Sequence, residues 1–223
     1  TSTSAGYFTN FGKTQRQGIE LGLNGRQGRF DWFANYSYLH ASFQSEACLL
    51  AENNSSRGTS AECTANGQDD EILVKKGNRL PGLPEHSLKL GLSWRATDWL
   101  RLGGDVQAFS GQYARGNENN QHQSGTTTDL LGSTRTFDGP GKTAGYAILN
   151  LNAEAKLGGG WQVFARVNNV FDKRYATAAA LAENPFNAGG SFQPDSGDWR
   201  RETFVAPGAP RAAWIGIRYV FGK

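Results

Sequence analysis

The side chains in this 223-residue chain that could do chemistry cluster in three long polar stretches, at about 44–86, 112–145 and 171–209. Aromatic and basic residues recur in them: Tyr113 with Arg115, Arg135 with Phe137, Phe186, Phe192, and Trp199 followed by Arg200 and Arg201. A ring face stacks on a flat conjugated ligand, and a guanidinium pairs with an anionic chelate. The competing reading is that these side chains pack the stretches against one another. For any single residue that reading is the stronger one, because a few contacts usually carry most of the binding.

The other candidates point to less. Asp69, Asp70 and Glu71 could ligate Ca²⁺, but no glycine-punctuated ligand spacing surrounds them, so they read as a solvated acidic run. An acid–base pair drawn from His40 or His86 with Asp69 and Asp70 needs its members within reach of one another, and nothing in the spacing brings them there. The chain is therefore expected not to be an enzyme, and no metal or cofactor is expected. Cys48 and Cys63 share one polar segment. They read first as a disulfide, which implies an oxidising compartment, and second as two free thiols. Closing so short a loop would contribute on the order of 3 kcal/mol.

The elements that position these stretches are strands. Hydrophobic residues make up 38% of the chain and mean hydropathy is −0.55. No run approaches the roughly 18 apolar residues of a membrane helix. That leaves open a transmembrane barrel, whose strands alternate apolar and polar residues. The 29 glycines and 12% aromatic content suit turns, close strand packing and interface belts. A net charge of +3, with the basic residues scattered among acids, argues against a nucleic-acid partner.

Strict alternation marks seven strands. The first, about 13–23, places Ile19, Leu21 and Leu23 on one face, and a short turn at 24–28 follows. The second, about 29–43, aligns Phe30, Trp32, Ala34, Tyr36 and Tyr38, with Phe33 an apolar exception on the polar face. The third carries Leu88, Leu90, Leu92 and Trp94, and the fourth Leu100, Leu102, Val106 and Ala108. The fifth carries Ala147 to Leu157 at every second position, the sixth Trp161, Val163, Ala165 and Val167. In the last, Ile215, Ile217, Tyr219 and Phe221 share a face with Ala213, opposite Trp214 and Arg218. Every odd strand joins the next by a short turn and every even strand by a long stretch. In an up-and-down sheet this gathers the long loops at one end and the short turns at the other, the asymmetry of an outer-membrane barrel. Loops of about 35 residues are uncommon in soluble domains. The apolar faces, Ile215 to Phe221 included, are therefore expected in lipid. An adhesive or structural barrel and a soluble β-rich binding module are the alternatives.

Four stretches, spread through the chain, resemble TonB-dependent outer-membrane receptors. Thr14, Gly18, Ile19 and Glu20 resemble the family's hairpin entry. Asn78, Pro81, Pro84 and His86 resemble its approach to a strand. Asn168, Asn169, Val170, Phe171, Asp172, Lys173 and Tyr175 resemble its Asn-Leu-Phe-Asp-Lys-x-Tyr motif, the most specific of the four. Pro207, Gly208, Pro210 and Arg211 with the final aromatic strand resemble its last loop and strand. The chain departs from the pattern in following Phe221 with Gly222 and Lys223. The resemblance implies a barrel of about 22 strands filled by a plug domain. Such receptors take up scarce bulky nutrients, most often ferric siderophores, with energy delivered through TonB. With seven strands, no methionine and no stretch like the plug or TonB box, residues 1–223 are expected to form a C-terminal part of such a barrel. Arg16, Glu20, Arg95, Arg101, Asp105, Glu154, Arg166 and Arg218 would then face the lumen and pair with one another or with the plug. Lipid, lipopolysaccharide, a nutrient chelate and the barrel-assembly machinery, which would read the terminal aromatic, are the remaining implied partners. The implied location is the bacterial outer membrane.

Overall fold

The computed structural model describes residues 12–65, 67 and 69–221; residues 1–11, Asn66, Gln68, Gly222 and Lys223 lie outside them. In chain order the strands are β1 (Thr14–Gln27), β2 (Phe30–Phe43), β3 (Ala47–Leu50), β4 (Glu71–Val74), β5 (His86–Arg95), β6 (Leu100–Phe109), β7 (Gly125–Thr128), β8 (Thr134–Asp138), β9 (Tyr146–Gly158), β10 (Trp161–Asn168), β11 (Ala176–Asn184), β12 (Arg200–Pro207) and β13 (Ala212–Tyr219). Seven of them, β1-β2-β5-β6-β9-β10-β13, form one antiparallel sheet that does not close. These are the seven strands expected from alternation. The chain forms part of an up-and-down barrel.

Register makes the apolar face continuous. Leu21 faces Tyr36, which faces Leu88, which faces Ala108, which faces Ala147. Further along, Val167 lies between Leu151 and Ala213, and Ala165 between Ala153 and Ile215. A slip of one residue anywhere would turn a strand's apolar set to the other side. None of these side chains is buried, and on the last strand the face is open: Ile215 is 74% accessible, Ile217 68% and Phe221 85%. Aromatic residues border the face at the turn end, where Phe30 stacks on Trp94 at 6.1 Å and Trp161 meets Tyr219 at 4.8 Å. Tyr36 and Tyr38 border it at the loop end. Six to eight residues separate the two borders along β2, about 20–26 Å at ~3.3 Å per residue. That matches the roughly 25 Å apolar band of a membrane barrel.

Two details differ from the sequence expectation. The first turn is only Gly28 and Arg29, since Gln27 already pairs with Phe30. Gly28 adopts φ 58°, which glycine allows without strain. An Arg26–Asp31 ion pair and the Trp32 ring over Gly25 hold the ladder closed to this point. Phe33, the apolar exception, lies across Gly91 on the adjacent strand, where any Cβ would collide with its ring. The ring thus covers bare backbone on an otherwise polar face.

The long stretches are not irregular. β3 and β4 form a hairpin in the first. β7 and β8 from the second join β11 and β12 from the third in a four-stranded sheet. The buried cores lie here: Phe43, Leu49, Ala51, Ile72 and Val74 in one cluster, Ala114, Ala179 and Leu181 in another. Cys48 and Cys63 are joined in a disulfide that ties β3 to the short helix α1 (Ala61–Thr64).

Candidate ligand-binding site

The β6–β9 ladder does not stop at its last strand pair, Phe109 with Tyr146. The Thr143 N–H donates to the Gln112 carbonyl at 2.9 Å, Tyr113 bridges Lys142, and the Ala114 N–H donates to the Gly141 carbonyl at 2.9 Å. The pairing keeps one register, so Phe109, Gly111 and Tyr113, with Tyr146, Ala144 and Lys142, continue the polar face of the sheet beyond its loop end. On this wall Phe109 and Tyr146 are 5.3 Å apart between ring centroids, and Tyr175 from the third stretch lies 4.3 Å from Tyr146. The Arg79 guanidinium lies over the Tyr113 ring, 5.7 Å from its centroid. Glu85 holds Arg79 by an ion pair of 3.1 Å, and Asn120 binds both its backbone N–H and its carbonyl. Lys142 is exposed and makes no ion pair among the described residues. Between them lies a cleft of about 300 Å³ with Gly111 in its wall. A Cβ at Gly111 would strike the Thr143 carbonyl, so the backbone stays bare there. Two cations, a row of rings and bare backbone suit an anionic, partly aromatic ligand.

Of the residues singled out in the sequence, only Tyr113 stands on this wall. Arg115 is exposed, and its backbone pairs with Ala179 and Leu181 instead. Arg135 is 3.7 Å from Asp69. Phe137 is fully buried, edge-on to His122 at 6.0 Å, which corrects its assignment as a ligand contact. Phe186 and Phe192 face each other, exposed, across a hairpin at 6.0 Å. Trp199 donates to the Gln193 carbonyl at 2.9 Å. Arg200 is paired with Asp138 and Glu202, each at 2.9 Å, and Arg201 with Glu183 at 3.0 Å. Trp199, Arg200 and Arg201 therefore hold the third stretch together and to the loop sheet rather than gather at the cleft. His40 pairs with Glu85 and His86 with the Tyr36 hydroxyl, so neither partners the aspartates.

What positions the cleft is a polar core between the first two stretches. Arg57, 3% exposed, donates to Asp69, Asp70 and Asp129 at 2.7, 3.2 and 3.1 Å. Asp69 and Asp70 of the acidic run are therefore ion-paired to Arg57 rather than free in solvent. Asn54 donates to the Gly116 carbonyl and to Asn119, and the Ser55 N–H donates to Nδ1 of His122. His122 is 5% exposed and burial lowers its pKa, so it accepts as the neutral imidazole.

The motif at 168–175 is structural. Asn169 is 2% exposed at φ 48°. Its amide donates to the carbonyls of Lys173 and Ala209 and accepts from the Lys173 N–H, while its own N–H donates to Asn150. Asp172 accepts from the Arg211 N–H. The motif ties the start of the third stretch to its end and holds Tyr175 against Tyr146.

The paired aspartates set a pH response. A hydrogen bond from Asp70, then the Arg57 charge, holds Asp69 below the usual carboxylate range. Desolvation, then the hydrogen bond and charge of Asp69, raise Asp70. Stabilisation through Asp69 is present above its unfolded pKa and lost as pH falls through its depressed one. Asp70 acts oppositely: its contribution is present below its unfolded pKa and lost as pH rises through the raised one. Amide protection of 54–57 should therefore peak while the pair shares one proton and decline on either side. Asp70→Asn, measured by hydrogen exchange against pH, should abolish the decline on the upper side; a profile unchanged from the parent would refute the assignment.

Comparison with known proteins gives the following. The family profile described as TonB dependent receptor-like, beta-barrel, matches residues 1–170. No curated protein matches. Among solved structures, the chain is similar to the ferric yersiniabactin uptake receptor FyuA of Yersinia pestis, with a TM-score of 0.56 at 16% identity over 92% of this chain and 23% of that one. It is similar to the siderophore receptor PiuA of Acinetobacter baumannii, TM-score 0.55 at 15% identity over 92% and 21%. It is also similar to the ferric-catecholate import receptor Fiu of E. coli, TM-score 0.53 at 17% identity over 97% and 22%. The chain thus spans less than a quarter of the length of each of these three.

Proposed function

Because the chain belongs to the TonB-dependent receptor-like β-barrel family, we propose that it is part of an outer-membrane uptake receptor for a ferric siderophore, energised through TonB. The observation that carries this reading is the wall of Phe109, Tyr113, Tyr146 and Tyr175 with Arg79 and Lys142, at the loop end of the polar face. The receptors it resembles are named for ferric chelates, which are anionic and often aromatic. In this reading the apolar face lies in lipid, the polar face lines the lumen, and the loop layer faces outward among lipopolysaccharide. TonB would act through a plug domain, and the barrel-assembly machinery would insert the chain.

The test is equilibrium binding to the intact receptor, comparing a ferric catecholate, ferric citrate and cobalamin. Combining Arg79→Gln and Tyr113→Ala should weaken the preferred ferric chelate about ten- to a hundredfold, since each tenfold is about 1.4 kcal/mol and the double change removes one charge and one ring contact. Equal binding by parent and variant, or a preference for cobalamin, would sink the siderophore reading. Cells that insert the receptor yet take up no chelate would favour an adhesive or structural barrel.

A further inference from the structure

Two arginines of the loop layer hold several carboxylates each. Arg57 has three, at 2.7, 3.2 and 3.1 Å, and Arg200 has two. Arg79, the guanidinium of the candidate cleft, has one and shares it with a histidine. Its Nη1 lies 3.1 Å from Oε2 of Glu85, while Nδ1 of His40 lies 3.3 Å from Oε1 of the same carboxylate. All three side chains are partly buried, and His40 keeps 32% of its side chain in contact with water.

Backbone bonds fix this sharing. The Leu39 N–H donates to the Glu85 carbonyl and the Leu80 N–H to the Ala41 carbonyl, each at 2.9 Å. Both segments are thus laid on the loop end of β2, with His40 between them. The Glu85 N–H donates to the Ser110 hydroxyl at 2.8 Å, which holds Glu85 from its other side. The remaining neighbours bring no charge to His40. Its register partner on β1 is the uncharged Gln17, and Arg16, the next residue, projects from the opposite face of that strand. The β3–β4 hairpin meets β2 through Phe43, among apolar side chains. His86 pairs with the Tyr36 hydroxyl at 2.8 Å and lies beside the Tyr38 ring, so its partner is a phenol rather than the carboxylate.

An ionised carboxylate only accepts hydrogen bonds, so Nδ1 of His40 carries a hydrogen toward Glu85 and the ring gains its second proton at Nε2. Histidine is the side chain whose charge changes between about pH 5 and 8. While the ring is neutral, Glu85 cancels Arg79. Once the ring is charged, one carboxylate serves two cations, and the group of three carries a net positive charge.

We infer that His40, acting through Glu85, sets the charge that the cleft offers to an anionic ligand, so that binding takes up a proton and tightens as pH falls. The inference rests on the reading of the Arg79–Tyr113 cleft as the ligand site. His40 is not among the residues that line the cleft, so it is a positioning residue. The coupling is reciprocal: an anion in the cleft favours the proton on His40 as much as that proton favours the anion. One unit charge acting across a partly wet site corresponds to about three- to tenfold in affinity.

The probe is naphthalene-2,6-disulfonate, whose sulfonates stay ionised throughout this range, so only the protein titrates. Isothermal titration calorimetry on the intact receptor in detergent, run in buffers of different ionisation enthalpy, counts the protons taken up. Affinity should rise about three- to tenfold from about pH 8 to about pH 5.5, with a fraction of a proton taken up per ligand in between. His40→Gln should flatten the profile at the weaker level and abolish the uptake. His40→Lys carries its charge at every pH in the range and should bind near pH 8 about as the parent does near pH 5.5. His86→Gln should leave the profile as in the parent. No proton uptake by the parent, the same profile in parent and His40→Gln, or a profile lost with His86→Gln overturns the inference. The combined Arg79→Gln, Tyr113→Ala receptor separates the two readings. If it binds the probe as the parent does, the cleft is not the ligand site and the inference falls with it. If it loses the probe while the parent takes up no proton, the cleft stands and the role of His40 alone fails.

Discussion

Replacing Arg57 by methionine should release the first two long loops from one another while leaving the barrel sheet intact. The side chain is 3% exposed and reaches Asp129, also 3% exposed, at 3.1 Å. Removing one member of a buried ion pair leaves the other charge uncompensated, at a cost of about 3–5 kcal/mol. Asp69 and Asp70 are 23% and 42% exposed and can turn to water, so the loss centres on Asp129 and falls at the lower end, about 3 kcal/mol. Opening free energies of that size raise amide exchange by about two orders of magnitude. The effect should appear at 54–57 and 116–122 and be absent from β5 and β6. Adding Asp129→Leu to Arg57→Met should recover much of the loss, because a pair replaced by apolar groups is far less costly than a pair halved. If Arg57→Met costs less than about 1 kcal/mol, or opens the barrel strands equally, the polar core does not carry the loop layer. Since Arg79 and Asn120 are attached to the same two loops, weaker chelate binding should accompany the opening.

Asn169→Ala should cost about as much, by a different route. The substitution strips three side-chain hydrogen bonds, leaving the Lys173 and Ala209 carbonyls and the Lys173 N–H unpaired in a buried setting. At about 1 kcal/mol each, with about 1 kcal/mol more for a non-glycine, non-asparagine residue held at positive φ, the sum is about 3–4 kcal/mol. Asn169→Gly removes the same bonds but not the backbone's freedom, so it should be less harmful than alanine by about 1 kcal/mol. Asn169→Asp keeps the acceptor for Lys173 and should fall between the parent and glycine. Denaturant unfolding in detergent orders the four proteins. Alanine and glycine variants as stable as the parent would show that the motif is not the tie between the two ends of the third loop. Tyr175 should leave Tyr146 in the alanine variant, so the aromatic row beside the cleft loses a ring when the motif fails.

The sequence by itself determined the seven barrel strands, the apolar face of each, and the sorting of long and short connections. These follow from alternation within about ten residues, and a strand's side-chain direction is a local property of its backbone. The disulfide between Cys48 and Cys63 was legible too, from two cysteines in one polar segment. The loop layer was not. Its strands lack apolar alternation: β7 reads Gly-Thr-Thr-Thr and β11 is mostly alanine, so no periodic signal marks them. Its core is made of residues that usually face water, and their partners are far away in the chain: Asn54 and Asn119 are 65 positions apart, Arg57 and Asp129 72. Phe137 was a candidate ligand contact as an aromatic beside Arg135 in a long loop, yet its burial against His122 is decided by a neighbour that sequence proximity does not supply. Arg79 and Lys142 gave no signal of their own; the extended β6–β9 register places Lys142 beside Tyr113, and bonds from Glu85 and Asn120 place Arg79 there. Which residues form strands was settled locally; which polar side chains are buried, and which cations are left without a partner, was settled only when the loops closed on one another, because desolvation and ion pairing depend on neighbours brought in from distant parts of the chain.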